Sequence, residues 1–219
     1  MSILDFITSF FDSESEFTLD YDDPVYGTNE IAFSKYEFLG YLNHTPNLHE
    51  EHLNQILEEG DIESISPHLD GALGNMIAQK YFANLGAVVE PEVHSDNGII
   101  DMIVSPSYSM QMIKILPGND GIELETTSLD DQFAIEIKNY GVNSFHQTNL
   151  QDIGNQIQNG SHVAGHSYLG VTKDFLHLDW DTQKEIIDIA KSNGDGIILL
   201  PYNKMSLDDT LNNLLDQLY

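Results

Sequence analysis

The stretch "FAIEIKNYG", Phe133 to Gly141, decides how the chain is read. In an extended strand, successive side chains point to opposite faces. Phe133, Ile135 and Ile137 then share one face, while Ala134, Glu136 and Lys138 share the other. The first face is an apolar set made for a core. The second sets a carboxylate beside an ammonium, next to an alanine small enough to leave room. A strand end in water needs no explanation for such a pair. A strand covered by its neighbours would carry the pair inside.

The segments around it supply that cover. "AVVEPEVH" (87–94) and "GIIDMIV" (98–104) read as two strands joined by a turn at "SDN". Asp101 sits in the second, with apolar neighbours on both sides. A carboxylate there is costly unless a cation or hydrogen bonds compensate. Pairing of the two acidic strands would bring Asp101 and Glu136 to one point of a sheet. Between them, residues 105–131 read as an inserted hairpin around "PGND".

Upstream, a helix is expected from Pro67, which suits a first turn, to Leu85, with Leu69, Leu73, Met76 and Ile77 on one face and Gly86 as its stop. "NLHEEHLNQILEEG" (47–60) reads as a shorter helix, capped by Asn47 with Glu50 and ended by Gly60. Downstream, "FHQTNLQDIGNQIQNG" (145–160) is a helix and "HSYLGVT" (166–172) a strand. "DTQKEIIDIAKSNG" (181–194) is a helix with a Thr182/Glu185 capping box, and "GIILLP" (196–201) is a strand. The tail "SLDDTLNNLLDQL" (206–218) is an amphipathic helix with Ser206 as cap and Leu207, Leu211, Leu214, Leu215 and Leu218 in one stripe, suited to core or dimer packing. The order from residue 67 is α-β-β-(insert)-β-α-β-α-β-α. It implies an α/β fold, a mixed central sheet flanked by helices. Residues 1–60 are expected as an acidic N-terminal accessory segment, partly ordered at best, and residues 61–219 as the domain.

Composition narrows the function classes. The chain has 219 residues and no Cys, so disulfides, thiolate metal sites and cysteine nucleophiles are excluded. The opening "MSILDFITSFF" lacks a basic start, and no apolar run could span a bilayer, so a soluble, intracellular (cytoplasmic) protein with no membrane partner is expected. Asp and Glu total 36 against 8 Lys and no Arg, a net charge of −28. Such a chain repels phosphate backbones at low salt. Two resolutions are open. At molar salt the Debye length shrinks to about 3 Å, and the repulsion is screened. Alternatively, the acidic surface is itself the function, docking on a protein partner as a mimic of DNA.

The array of Asp101 with Glu136-Ile137-Lys138, set in helix–strand–strand–strand–helix–strand order, resembles the PD-(D/E)xK nuclease superfamily, the restriction-endonuclease-like proteins. The likeness covers roughly residues 67–201 and is nearest to the modification-dependent restriction endonucleases and the archaeal Holliday junction resolvases. It implies a restriction-endonuclease-like core with an extra α-β unit and a C-terminal helix. It also implies Mg²⁺, with Mn²⁺ as a substitute, held by Asp101, Glu136 and the main-chain carbonyl of Ile137. Lys138 would be the catalytic lysine, and Gln156 would line the site from the following helix. Two hard carboxylates at one point suit Mg²⁺, which takes few protein oxygens.

The chain departs from the pattern at Ile100, where the named motif has Pro, and at Asn75, where relatives often carry a helix Glu; Asp70 is the nearest acidic substitute. The expected function is thus a Mg²⁺-dependent, salt-adapted DNA endonuclease, a homodimer from a halophile or a virus of one, there acting in the host cytoplasm. The alternative is a catalytically inactive acidic interaction protein on the same fold. His162 and His166, four residues apart but beside Gly160 and Gly165, read as surface histidines.

Overall fold

The alternation in residues 133–138 becomes the middle of a seven-stranded sheet. The computed structural model describes residues 16–42, 62–146 and 149–216. In chain order the elements are β1 (Glu16–Asp23), β2 (Gly27–Ser34), α1 (Lys35–Leu42), α2 (Ile62–Asn84), β3 (Ala87–Ser95), β4 (Gly98–Pro106), β5 (Met110–Pro117), β6 (Ile122–Leu129), β7 (Phe133–Lys138), α3 (Val142–Phe145), α4 (Leu150–Ala164), β8 (Ser167–Val171), a 3-10 turn (Lys173–His177), α5 (Trp180–Asn193), β9 (Ile197–Leu199) and α6 (Lys204–Asp216). The large sheet runs β3-β4-β7-β8-β9-β5-β6.

β7, β8 and β9 are parallel and linked by helical crossovers, whereas the remaining pairs are antiparallel. β8 and β9 are buried at every residue, as central parallel strands covered on both faces must be. The architecture is therefore mixed α/β, a sheet with helices on both faces. The inserted hairpin β5–β6 does not stay beside the strands that flank it in sequence. β5 pairs with β9, and the hairpin extends the far edge of the sheet.

One face packs on α2, α6 and the N-terminal elements. Its core includes Met102, Val104, Phe133, Ile135 and Ile137 from the sheet, Leu73, Ile77 and Phe82 from α2, and Leu207, Leu211 and Leu214 from α6. The other face packs on α4 and α5 through Ile153, Ile157, Ile186 and Ile187 against Leu169, Val171 and Ile197. Each such side chain contributes roughly 1.5–3 kcal/mol on burial. Ala134 lies against α4, and a Cβ at Gly160 would come 2.7 Å from the Ala134 Cβ and 2.6 Å from Ser167 Oγ. A bare glycine facing an alanine lets α4 lie close on the β7 face that carries Glu136 and Lys138.

Several expectations are corrected. The N-terminal segment is not a loose arm over its described part: β1 and β2 pair along their full length, and Phe17, Leu19, Tyr21, Ile31 and Phe33 enter the same core as α2. The expected boundary at residue 60 and the helix at 47–60 lie outside the described residues. α2 starts at Ile62, five residues before Pro67, so that proline stands in the second turn. Asp179, not Thr182, caps α5, accepting the Thr182 N–H at 3.0 Å. Asn203, not Ser206, caps α6, accepting the Ser206 N–H at 2.8 Å.

A buried contact fastens the N-terminal hairpin. Tyr81 Oη on α2 donates to Asp23 Oδ2 at 2.6 Å, while Asp23 Oδ1 accepts the N–H groups of Val25 and Tyr26 at 2.7 and 3.1 Å. Tyr81→Phe leaves a buried carboxylate one donor short, which should cost about 1.5–3 kcal/mol. Denaturant unfolding in molar KCl measures it. A change below about 0.5 kcal/mol, the range of neutral surface substitutions, would mean that this bond does not hold the hairpin.

Candidate metal and nuclease site

β4 and β7 pair through Met102–Ile135, Ile103–Ala134 and Val104–Phe133, and no further. The next position in register sets Asp101 opposite Glu136. There the ladder gives way to a side chain: Asp101 Oδ2 accepts the Ile137 N–H at 2.7 Å. The two strands part around the carboxylate, and both acids face the gap within hydrogen-bonding reach of each other. Lys138 Nζ donates to Glu136 Oε1 at 2.6 Å, with Glu136 only 4% exposed. The structure thus brings Asp101, Glu136, Lys138 and the Ile137 main chain together.

Burial raises the pKa of both acids. Glu136 is pushed up to about 8 by desolvation and by the Asp101 charge, against the pull of Lys138. Asp101 is also raised by desolvation, opposed by Lys138, the Ile137 N–H and the Asn75 side chain. Lys138 is held above the usual ammonium range because the Glu136 and Asp101 charges outweigh its own desolvation. Glu136 holds a proton below about pH 8, and its release would leave two buried carboxylates against one ammonium unless a cation entered. That donor set, oxygen only, fits a hard divalent cation.

The other expected residues fall differently. Gln156 lies on α4 and lines, with Lys138, an open groove of about 460 Å³. Asp70 is not brought to the pair: its Oδ1 accepts from Lys204 Nζ at 2.8 Å, and Lys204 also holds Asp208. Asn75, the position of the expected helix acid, does reach Asp101, as an amide donor instead of a ligand. His146 bonds Thr182 Oγ1 at 3.3 Å near the α5 start, and His166 faces Asp195 at 3.3 Å. Among the described residues no group of three or more His, Cys, Asp or Glu is gathered for a metal.

Three residues went unread in the sequence. Tyr41 on α1 is pushed well above the usual phenol range by burial and by the charges of Glu92 and Asp101. Glu92 takes a φ of 50° where β3 should face Asp101, and the pairing skips it between Pro91–Met102 and Val93–Ile100. A left-handed non-glycine backbone costs on the order of 1–2 kcal/mol. Pro91, which has no N–H to give, was the available signal for an edge strand with an irregularity. Asn139, next after Lys138, is buried with no partner for Oδ1, and its amide fills the space that Gly74 leaves.

No family model, curated protein or solved structure matches this chain. Among the described residues no helix is long and apolar enough to cross a membrane.

The raised Glu136 sets a pH dependence. Its ordinary value is 4.5, so between there and about 8 the folded protein holds a proton that the unfolded chain has released. Stability must then fall as pH rises through that window. In EDTA, the melting temperature of wild type should drop more steeply from about pH 5 to about pH 8.5 than that of Glu136→Gln, which stays neutral throughout. Parallel slopes for the two proteins would count against a buried, proton-holding Glu136.

Proposed function

We propose that the chain is a Mg²⁺-dependent DNA nuclease built on a restriction-endonuclease-like core and adapted to high salt. The observation that carries the reading is the gap between β4 and β7, where Asp101, Glu136 and Lys138 converge on the Ile137 main chain. Asp101, Glu136 and the Ile137 carbonyl would hold the ion, with Mn²⁺ as a substitute. When bound, Mg²⁺ would polarise the phosphoryl oxygen and make the attacking water more acidic. Lys138, already fixed on Glu136, would orient that water and offset charge developing on the phosphate. Asn75 donates to Asp101 and so favours its ionised form against the burial that raises its pKa, without adding a third acid. Close packing of α4 on Ala134 at Gly160 and the burial of Glu136 lower the local dielectric and would strengthen these interactions. A homodimer cutting both strands, inside a salt-rich cytoplasm, goes with this reading.

A second reading has one observation in its favour. The expected helix carboxylate is an amide at Asn75, and the substitute Asp70 is bound to Lys204. A silent acidic protein that docks on a nucleic-acid enzyme would tolerate both.

The test uses linear, supercoiled and branched DNA with Mg²⁺ or Mn²⁺, from low to multimolar KCl. Cleavage at high KCl is expected. Lys138→Ala and Asp101→Asn should each reduce it by about 10²-fold or more. Cleavage by Lys138→Ala at the wild-type rate would sink the assignment of the site. No cleavage by wild type under any of these conditions would sink the nuclease reading and favour the docking protein.

A further inference from the structure

Lys138 belongs to two places at once, the carboxylate pair and the groove of about 460 Å³ that opens beside it. The groove is lined by Tyr140, Ser144, Asn149, Asp152 and Gln156, with Ile153 among them. Its size falls in the range of small-molecule sites, about 300–1,000 Å³.

Its chemistry is wrong for a phosphate. The one ammonium in it is hydrogen-bonded to Glu136, and Asp152 adds a carboxylate to the wall. Its chemistry is right for a neutral, planar, polar ligand. Tyr140 offers a ring braced edge-on by Phe145, with centroids 5.3 Å apart and planes at 75°. The Gln156 amide offers a donor and an acceptor. Asn149 uses its Oδ1 on the Gln151 N–H at 3.1 Å, which turns its remaining amide capacity to donation.

Resting on the nuclease reading, we infer that this groove is a subsite for one unpaired nucleobase, stacked on Tyr140 and read by the Gln156 and Asn149 amides. A base in a duplex is stacked between neighbours with its pairing edge occupied, so an unpaired nucleotide enters without the few kcal/mol that extrusion from a duplex costs. Because Lys138 joins the groove to the carboxylates, that nucleotide is adjacent to the phosphodiester to be cut. The substrate class is therefore DNA with an unpaired nucleotide at the cleavage point: single strands, flaps, bulges or branch points. Stacking is also a binding force that survives the salt needed to screen this acidic chain, because it does not depend on phosphate charge.

The probe is a single-stranded oligodeoxynucleotide carrying 2-aminopurine at one position, bound to the Asp101→Asn protein in multimolar KCl. Its fluorescence should be quenched by stacking. Tyr140→Ala in the same background should weaken binding by about tenfold. Tyr140→Phe should restore it, and Gln156→Ala should change which base is preferred while leaving the fold intact. With the active protein and Mg²⁺, single-stranded and branched DNA should be cut faster than blunt duplex, and Tyr140→Ala should erase the difference. Equal cutting of duplex and unpaired DNA, or binding indifferent to Tyr140→Ala in a protein that melts as wild type does, would overturn the subsite and leave the nuclease standing. Quenching that needs Tyr140 without cleavage of any DNA would uphold the subsite and sink the nuclease.

Discussion

The Asp101 carboxylate that accepts the Ile137 N–H at 2.7 Å is the bond on which the site depends. An uninterrupted ladder would close β4 on β7 and leave no room between Asp101 and Glu136. The side chain replaces the next ladder contact, so the strands can part without leaving the Ile137 N–H unsatisfied in the interior. The opening then holds two buried acids, and the Lys138 ammonium bound to Glu136 makes the arrangement tolerable. Removing the ammonium would leave Asp101 and Glu136 buried without their cation, a greater loss than the same change at a surface pair.

Helix α4 packs close on the β7 face that carries Glu136 and Lys138. Gly160 meets Ala134 and Ser167 at distances a side chain would not allow, so the helix lies close on the sheet one turn beyond Gln156. The position of Gln156 at the groove follows from that contact. Below the sheet, α2 presents Asn75 to Asp101 from the segment that also accepts the Asn139 side chain at Gly74. The site is therefore a consequence of two close helix–sheet approaches, each made possible by a glycine.

Local periodicity made most of the sheet readable. The alternation in 133–138 and the buried runs at 167–171 and 197–199 were plain, and with them the pair of Glu136 and Lys138 on one face. β1 also alternates, with Phe17, Leu19, Tyr21 and Asp23 buried and their neighbours exposed. Its outward acids gave the segment the composition of a solvated arm and hid the period. The caps slipped by three residues, from Thr182 to Asp179 and from Ser206 to Asn203, because each pair contains two good capping residues one turn apart. Tyr41, Glu92 and the reach of Asn75 were beyond sequence reading. Tyr41 and Asn75 come to Asp101 by tertiary packing of elements far apart in the chain, whereas Glu92 stands at a break in the neighbouring hairpin strand, where Pro91 hints at an irregularity but not at its φ.

Most of the lysines of this acidic chain are committed within the fold. Six of the eight have a named partner within the fold: Lys35 on Tyr36, Lys80 on Glu37, Lys114 on Tyr168, Lys138 on Glu136, Lys173 on the Asp22 carbonyl, and Lys204 on Asp70 and Asp208. Lys80, Lys173 and Lys204 join elements distant in sequence. They act as internal ties, not as a basic surface waiting for phosphates. On the nuclease reading proposed above, an encounter with DNA would depend on screening by salt for approach, and on a few short-range contacts for hold. Asn75 fits the same logic. A carboxylate there would have raised the charge of the site to three acids against one ammonium, whereas the amide supports Asp101 and adds no charge. With so few cations in the chain, holding the site at two acids would, on the proposed reading, limit the repulsion met by a phosphate.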